Sequence, residues 1–251
     1  MGALHEGHMS LIHRAKIDCG AVAASIFVNP LQFNNKEDLA NYPRQLAHDL
    51  EQLREAGCHM LFHPSEEQLF QHFAPVNYDL GGLDTHWEGP SRPGHFQGVV
   101  NVVERLFHYI RPDVAFFGEK DRQQLAIIRH ARHLLRWPER IVGCATLREP
   151  DGLAMSSRNQ RLGPDERRIA PLLYQALQAV HTHFRGIAAP ALEAGRSVLR
   201  AEPRIQLDYL GIADAETLEP LHGDAAGRDM VALIAAQVGP VRLIDNITLA
   251  R

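Results

Sequence analysis

Cysteine is scarce in this chain: among 251 residues there are three, Cys19, Cys58 and Cys144. They are odd in number, widely spaced and each embedded in apolar or helical sequence. That supports neither a disulfide framework nor a zinc knuckle, and the thiols read as reduced and buried. Charge of one sign is equally sparse. The formal net charge is −4 and like charges never run beyond a few residues, so there is no basic footprint for nucleic acid. No apolar run reaches membrane-spanning length and no charged-then-apolar leader precedes Met1, so the expectation is a cytoplasmic protein whose partners include neither nucleic acid nor a membrane. The fifteen histidines are spread along the chain, and no His-x-x-x-His on one face comes with a nearby third ligand, which argues against a histidine-built metal site.

What is present begins with an ordinary globular composition. With 45% hydrophobic and 22% charged residues, the chain can bury a core as one large or two smaller domains. The stretch around which the rest is organised is Met1-Gly2-Ala3-Leu4-His5-Glu6-Gly7-His8, followed by the amphipathic run Met9 to Cys19. Leu11, Ile12, Ala15 and Cys19 recur at three- and four-residue steps, so a helix is expected to start near Glu6 or Gly7. His5 and His8 then lie in its first turn, where unpaired N–H groups and the positive dipole end favour an anion. Two imidazole donors there make a phosphate site; taken alone, the same residues also fit surface histidines beside a glycine turn.

From there, strand-like and helix-like segments alternate. The apolar run Ala21–Val28 reads as a buried parallel strand ending at Asn29-Pro30, with Asn29, Gln32 and Asn34 just past its carboxyl end, where open α/β sheets bind ligands. Their amides suit a hydroxy acid, and they equally suit turns. Tyr42 to Ala56 has helical spacing through Leu46, Leu50 and Leu53 with Gly57 as its stop, and its exposed face is expected to carry Glu37, Asp38 and Asp49, any of which could approach a hydrated magnesium or simply be solvated. Met60–Phe62 reads as a strand. Ser91-Arg92-Pro93-Gly94-His95-Phe96 is a turn with two candidate anion donors, followed by a helix from Gln97 to Ile110.

A second informative stretch is Val114–Gly118, an apolar strand, running through Glu119, Lys120 and Asp121 into a helix. Lys120 is placed at a strand-to-helix junction, where a compact cation meets a phosphate; Asp121 either caps the helix or reaches a nucleotide hydroxyl. Ile141–Leu147 looks like another strand. Arg148-Glu149-Pro150-Asp151-Gly152-Leu153-Ala154-Met155-Ser156-Ser157-Arg158-Asn159 is polar and turn-rich and reads as a surface loop able to close over a polyphosphate. Beyond Gly163-Pro164 come a long helix Asp165–His183, a second at Ala191–Ala201, and strands at 205–210, 230–236 and 241–245. The expected division is a Rossmann-like α/β domain over residues 1–149 and a smaller α+β domain, lid and interface, over 150–251.

Five motifs in order, Met-Gly-Ala-Leu-His-Glu-Gly-His, Asn-Pro-Leu-Gln-Phe, Arg-Pro-Gly-His-Phe, Phe-Gly-Glu-Lys-Asp-x-Gln-Gln and Asp-Gly-Leu-Ala-Met-Ser-Ser-Arg-Asn, closely resemble the pantoate–β-alanine ligases, and the resemblance covers essentially the whole chain. It implies a nucleotidylyltransferase-like parallel-sheet domain and a two-step reaction: ATP and pantoate give pantoyl adenylate and pyrophosphate, then β-alanine displaces AMP. It also implies Mg2+, a homodimer and a first strand lying upstream of the counterpart of Met1, so that the sheet as read here lacks a central strand.

Carried over residue by residue, the resemblance puts Met1, Gly2, Ala3, Leu4, His5, Glu6, Gly7 and His8 along the ATP, with His8 as proton donor. Gly118, Glu119, Lys120 and Asp121 would hold ribose and phosphate, Leu147 would lie near the adenine, and Met155, Ser156, Ser157 and Arg158 would form a mobile phosphate loop. The residues implied in catalysis are His5, His8, Lys120, Ser156 and Arg158. Gln32 and Gln124 would bind pantoate, and Asp49 would approach magnesium. The chain departs from the family pattern at Arg122, in place of an aromatic, and at Leu147, in place of valine. Two other readings remain at this stage: a different adenylyltransferase of the same superfamily, and an impaired nucleotide-binding protein.

Overall fold

The computed structural model describes residues 2–32, 39–40, 42–225 and 227–249. Met1, Asn34, Glu37 and Asp38, each given a role from the sequence, lie outside them. The chain divides into two compact units, one of residues 1–119 and 123–145, the other of 120–122 and 146–251.

The first unit opens with helix α1 (Glu6–Asp18), which starts where the periodicity places it. Strand β1 (Ala23–Ser25) follows and is shorter than the apolar run it lies in. Helix α2 (Leu46–Glu55) then leads to β2 (Met60–Phe62), which pairs with β1 in parallel, Ala23 opposite Met60. Helix α3 (His95–Ile110) is the most apolar of the unit. It buries Phe96, Val99, Val100, Val103 and Phe107 against Ile127 and Ile128 of helix α4 (Arg122–Leu134). Between them runs β3 (Val114–Gly118), paired in parallel with β4 (Arg140–Cys144) from Val114–Arg140 to Gly118–Cys144.

Among the described residues, β1 pairs only with β2 and β3 only with β4, so the parallel layer is two separate ribbons. A cavity of about 640 Å³ is lined by both ribbons, through Ala23, Ala24 and Ser25 on one side and Val114, Ala115 and Phe116 on the other, and by Leu4, His8 and Ile12 near the start of the chain. Strand edges that face a void carry unpaired N–H and C=O groups, which is the condition under which an added strand is accepted.

In α2 the structure inverts the expected faces. Leu46 and Leu50 are exposed, at 38% and 42%, whereas Asp49 has no exposed surface. A charged side chain is buried only when its hydrogen bonds are made inside, and here two backbone N–H groups from the chain's start make them.

In the second unit the expected long helix is two pieces, Pro164–Ile169 and α5 (Leu172–His183). Pro171 sits at the break; without an N–H it cannot continue the ladder. Helix α6 (Ala188–Arg200) packs on α5, with Gly195 allowing Val180 and Leu210 to approach closer than a side chain would permit. Strands β5 (Ile205–Asp214), β6 (Met230–Val238) and β7 (Val241–Leu249) form an antiparallel sheet in that order, and β6 is buried nearly end to end between its neighbours. Leu173, Leu177, Val180, Ile212, Ile234 and Leu243 belong to its core.

Candidate functional site

The start of the chain is held in an unusual conformation. Gly2 and Ala3 both have positive φ, 89° and 51°, and the turn aims the N–H groups of Ala3 and Leu4 at the two oxygens of Asp49, 3.0 and 2.7 Å away. Successive amides converging on one anion form a nest, and the anion here is the protein's own carboxylate. Ala3 lacks glycine's freedom, so its conformation costs about 1 kcal/mol or more and persists because Asp49 holds it. Asp49, expected to approach magnesium from an exposed face, is instead a fully buried clamp with both oxygens committed to backbone. Asp49→Asn replaces one acceptor with an NH2 group facing an N–H; the expected loss is about 1–3 kcal/mol, read as a lower urea midpoint with unchanged slope.

Immediately after this turn, His5 is the N-cap of α1. Its Nδ1 accepts from the Gly7 N–H at 3.1 Å, and His8 Nδ1 accepts from the His5 N–H at 3.3 Å, a capping box built from two imidazoles. The rings lie 4.0 Å apart between centroids, tilted by 46°. Because each Nδ1 is an acceptor, each ring in its neutral form carries its proton on Nε2. Glu6 is exposed beside them.

Past the carboxyl end of β1, Gln32 closes a 3-10 turn and is held by Asn29 and His95. The Asn29 amide donates to the Gln32 side-chain oxygen at 3.3 Å and to the Gly98 carbonyl at 3.0 Å, and buried His95 bonds the Gln32 carbonyl through Nδ1 at 2.9 Å. His95, read from the sequence as an anion donor, thus holds this turn. Gly98 has to be glycine, since a Cβ there would sit 2.3 Å from the Leu31 carbonyl oxygen. Gly98→Ala is expected to displace the Gln32 turn and, on the expectation from the sequence that Gln32 meets the acid substrate, to raise KM for that acid at least tenfold, with KM for ATP changing far less; steady-state kinetics with each substrate varied separately check this.

The two adjacent glutamines on α4 have divided roles. Gln123 is buried; it donates to the carbonyls of Leu83 and His86 and accepts from the Glu88 N–H, pinning the 83–88 turn. Gln124, the one expected to meet substrate, is half-buried and carries no such anchoring. At the end of β3, Gly118 leads into the 3-10 turn Glu119–Asp121, and the Glu119 side chain lies over Gly143 of β4. Buried Cys144 ends β4, its thiol pushed up chiefly by burial, so it stays protonated and inert at neutral pH.

The second unit takes over at Lys120, whose side chain is 18% exposed and whose Nζ lies 3.9 Å from the Asp121 carboxylate. The stretch read as a surface loop is a hairpin here. Arg148 bridges to Ala154, the Met155 N–H donates to the Leu147 carbonyl at 3.0 Å, and Gly152 turns with φ of 92°. Leu153 and Ala154 are buried in the unit's core, which a polar, punctuated sequence concealed. Ser156 accepts from the Arg158 N–H at 3.2 Å as the cap of the 3-10 turn Ser157–Arg161. Met155, Ser156, Ser157 and Arg158 are each half-buried, and Leu147 is 40% exposed.

The residues that sequence reasoning missed are on β7. Arg148 forks onto Asp245, at 2.6 and 3.0 Å, also donates to the carbonyls of Gly152 and Asn246, and lies 3.7 Å over the ring of Tyr174. Asn246 Nδ2 donates to the Lys120 carbonyl at 2.9 Å. Burial pushes the Asp245 carboxyl up, against the pull of Arg148 and of the Asn246 N–H. The available signal was an Asp-Asn pair in the middle of a strand that is apolar at Val241, Leu243, Ile244, Ile247 and Leu249.

Parallel strands feeding helices, with polar side chains following the carboxyl end of β1 and that of β3, are the arrangement in which open α/β proteins bind ligands at that edge. The sequence pattern of the pantoate-β-alanine ligase family matches residues 1–248. The pantothenate synthetase of Rubrobacter xylanophilus is 47% identical over 99% of this chain and 89% of its own length. The crystal structure of the Thermus thermophilus enzyme superposes with a TM-score of 0.92 at 47% identity, covering 98% of this chain and 90% of that one. That of the Francisella tularensis ligase, complexed with beta-gamma ATP and β-alanine, gives 0.80 at 34% identity, covering 99% and 87%. The chain belongs to the pantoate–β-alanine ligase family.

Proposed function

We propose that this protein condenses pantoate with β-alanine at the expense of ATP, through pantoyl adenylate, using the side chains described above. The observation that carries the site assignment is the histidine capping box: two imidazoles locked as Nε2–H donors in the first turn of a helix, directly after a clamped turn. Family membership favours this reading over another adenylyltransferase and over a non-catalytic nucleotide binder.

In the first step a pantoate carboxylate oxygen attacks the α-phosphorus of ATP, the bond to the bridging α–β oxygen breaks, and pyrophosphate leaves. Charge accumulates on phosphoryl oxygens, so fixed donors and cations do the work. His5 and His8 donate to the phosphates, with His8 as the proton donor, and Lys120 and Arg158 supply positive charge. Ser156 and Ser157 donate hydroxyl hydrogen bonds; Gly2–Leu4, Glu6, Gly7, Gly118, Glu119, Asp121, Leu147 and Met155 line the nucleotide. Gln32 and Gln124 hold pantoate. In the second step the β-alanine amine attacks the acyl carbon, the C–O bond to the phosphate breaks, AMP leaves with that oxygen, and the ammonium proton is lost to solvent.

No group of three or more His, Cys, Asp or Glu suited to a metal occurs among the described residues, and Asp49 has both oxygens engaged. The donor set does not fit a resident metal ion, so Mg2+ belongs to this proposal as part of the MgATP substrate, carried on its phosphates. A homodimer, implied by the resemblance, is likewise part of the proposal, and sedimentation velocity reads it directly. No helix among the described residues is long and apolar enough to cross a membrane. The reading is tested by incubating the protein with MgATP, pantoate and β-alanine. AMP and pantothenate in equal amounts, with no AMP when pantoate is omitted, is the expected result. ADP as the product, or nucleotide turnover indifferent to pantoate, contradicts it.

A further inference from the structure

The Asp245–Asn246 pair of β7 is a buried polar pair for which the reaction as described has no use. Both side chains are nine-tenths buried, at 6% and 7% exposure, and sit in the middle of a strand whose partners across the sheet are Ile234 and Leu233. Polar groups at such positions cost stability unless satisfied, and apolar residues of similar volume would serve the sheet at least as well. Their hydrogen bonds point to a task. Asn246 holds the Lys120 carbonyl at 2.9 Å across 126 positions of sequence, while Asp245 holds the Arg148 guanidinium, whose other contacts close the hairpin that leads to Ser156 and Arg158. The turn bearing Lys120 and the hairpin bearing the hydroxyl and guanidinium groups are thereby anchored on adjacent residues of one strand.

We propose that Asn246 is a positioning residue for Lys120. Resting on the reading of Lys120 given above, its amide fixes the Lys120 peptide plane, hence the direction in which the ammonium is presented to the phosphates, and Asp245 sets the hairpin to the same reference through Arg148. Misplacing a charge-stabilising group by about 1 Å costs on the order of 100-fold in rate, whereas losing one neutral hydrogen bond that only steadies such a group costs roughly tenfold.

The test is a double-mutant cycle on the first half-reaction, pantoate-dependent exchange of pyrophosphate into ATP. Asn246→Ala is expected to lower exchange roughly tenfold, mainly in kcat, and to leave the attack of β-alanine on pre-formed pantoyl adenylate within about twofold of wild type. In the Lys120→Ala background the same change is expected to have no further effect, because the group through which it acts is gone. Asn246→Ser, which keeps a shorter donor, is expected to fall between wild type and alanine; it replaces alanine in the cycle should the alanine variant not fold. Unchanged exchange in the Asn246 variants overturns the proposal, as does an equal loss with and without Lys120, which marks a purely structural role. Exchange undiminished in Lys120→Ala overturns the reading of Lys120 itself, and this inference with it.

Discussion

His8→Asn is expected to lower pantoate-dependent pyrophosphate exchange by about 100- to 1,000-fold, the usual loss when one preorganised donor to a developing oxyanion is removed, while the protein melts within a few degrees of wild type. The choice of asparagine follows from the capping box. Its side-chain oxygen stands where His8 Nδ1 accepts from the His5 N–H, so the helix cap survives, but nothing stands where Nε2–H was. His8→Gln is the complementary change. Its amide reaches the Nε2 position and offers a donor there but leaves the cap unmade, so it is expected to retain more activity than asparagine and to lose about 1 kcal/mol of stability. Should the two variants fall in the opposite order, with glutamine inactive and asparagine active, the pair would be a cap alone and the phosphate would have to be held elsewhere.

The second large effect is on stability. Extending the chain before Met1 with a designed linker and a five-residue apolar strand is expected to raise the melting temperature by at least 10 °C. The cavity between the two parallel ribbons is lined by the open edges of β1 and β3 and by apolar helix faces, so an entering strand finds backbone partners on both sides. Burying roughly 500 Å² of apolar surface at about 25 cal/mol/Å² contributes about 12 kcal/mol, against an ordering cost of about 7 kcal/mol for five residues. The difference, roughly 5 kcal/mol, corresponds to about 10–20 °C for a chain of this size. A polar strand of equal length serves as the control. Equal melting temperatures for the apolar-extended and unextended proteins would mean that the groove is already closed by the ribbons in solution.

The order of elements was legible in the sequence because it rests on local periodicity. The apolar spacing of α1 and α3, the continuous runs behind β1 and β3 and the period of the last three strands all survive in the structure, with shifts of a few residues at their ends. The break at Pro171 was legible too, had the proline been given its weight over the alanine-rich pattern around it. What stayed hidden is non-local. Asp49 looks like a solvated face of an amphipathic helix until the strained Gly2–Leu4 turn, 45 and 46 positions away, is seen to need its two oxygens. Arg148 and Asp245 are 97 positions apart, and neither is remarkable until they meet. The same holds within the candidate site: the place of His5 and His8 at a helix start was readable, but not which nitrogen of each ring the cap engages. Sequence also could not say that of Gln123 and Gln124 the first is an anchor. Such partners are chosen by the folded backbone.

The account depends on a pantoate oxygen bonding to the α-phosphorus of ATP, and an isotope label follows that atom. With pantoate carrying 18O in its carboxylate, MgATP and β-alanine, the AMP formed in one turnover is expected to contain one 18O per molecule and the pyrophosphate none. Label found in inorganic phosphate, or AMP free of label, would contradict it, because the carboxylate would then have been activated at another phosphorus or not at all.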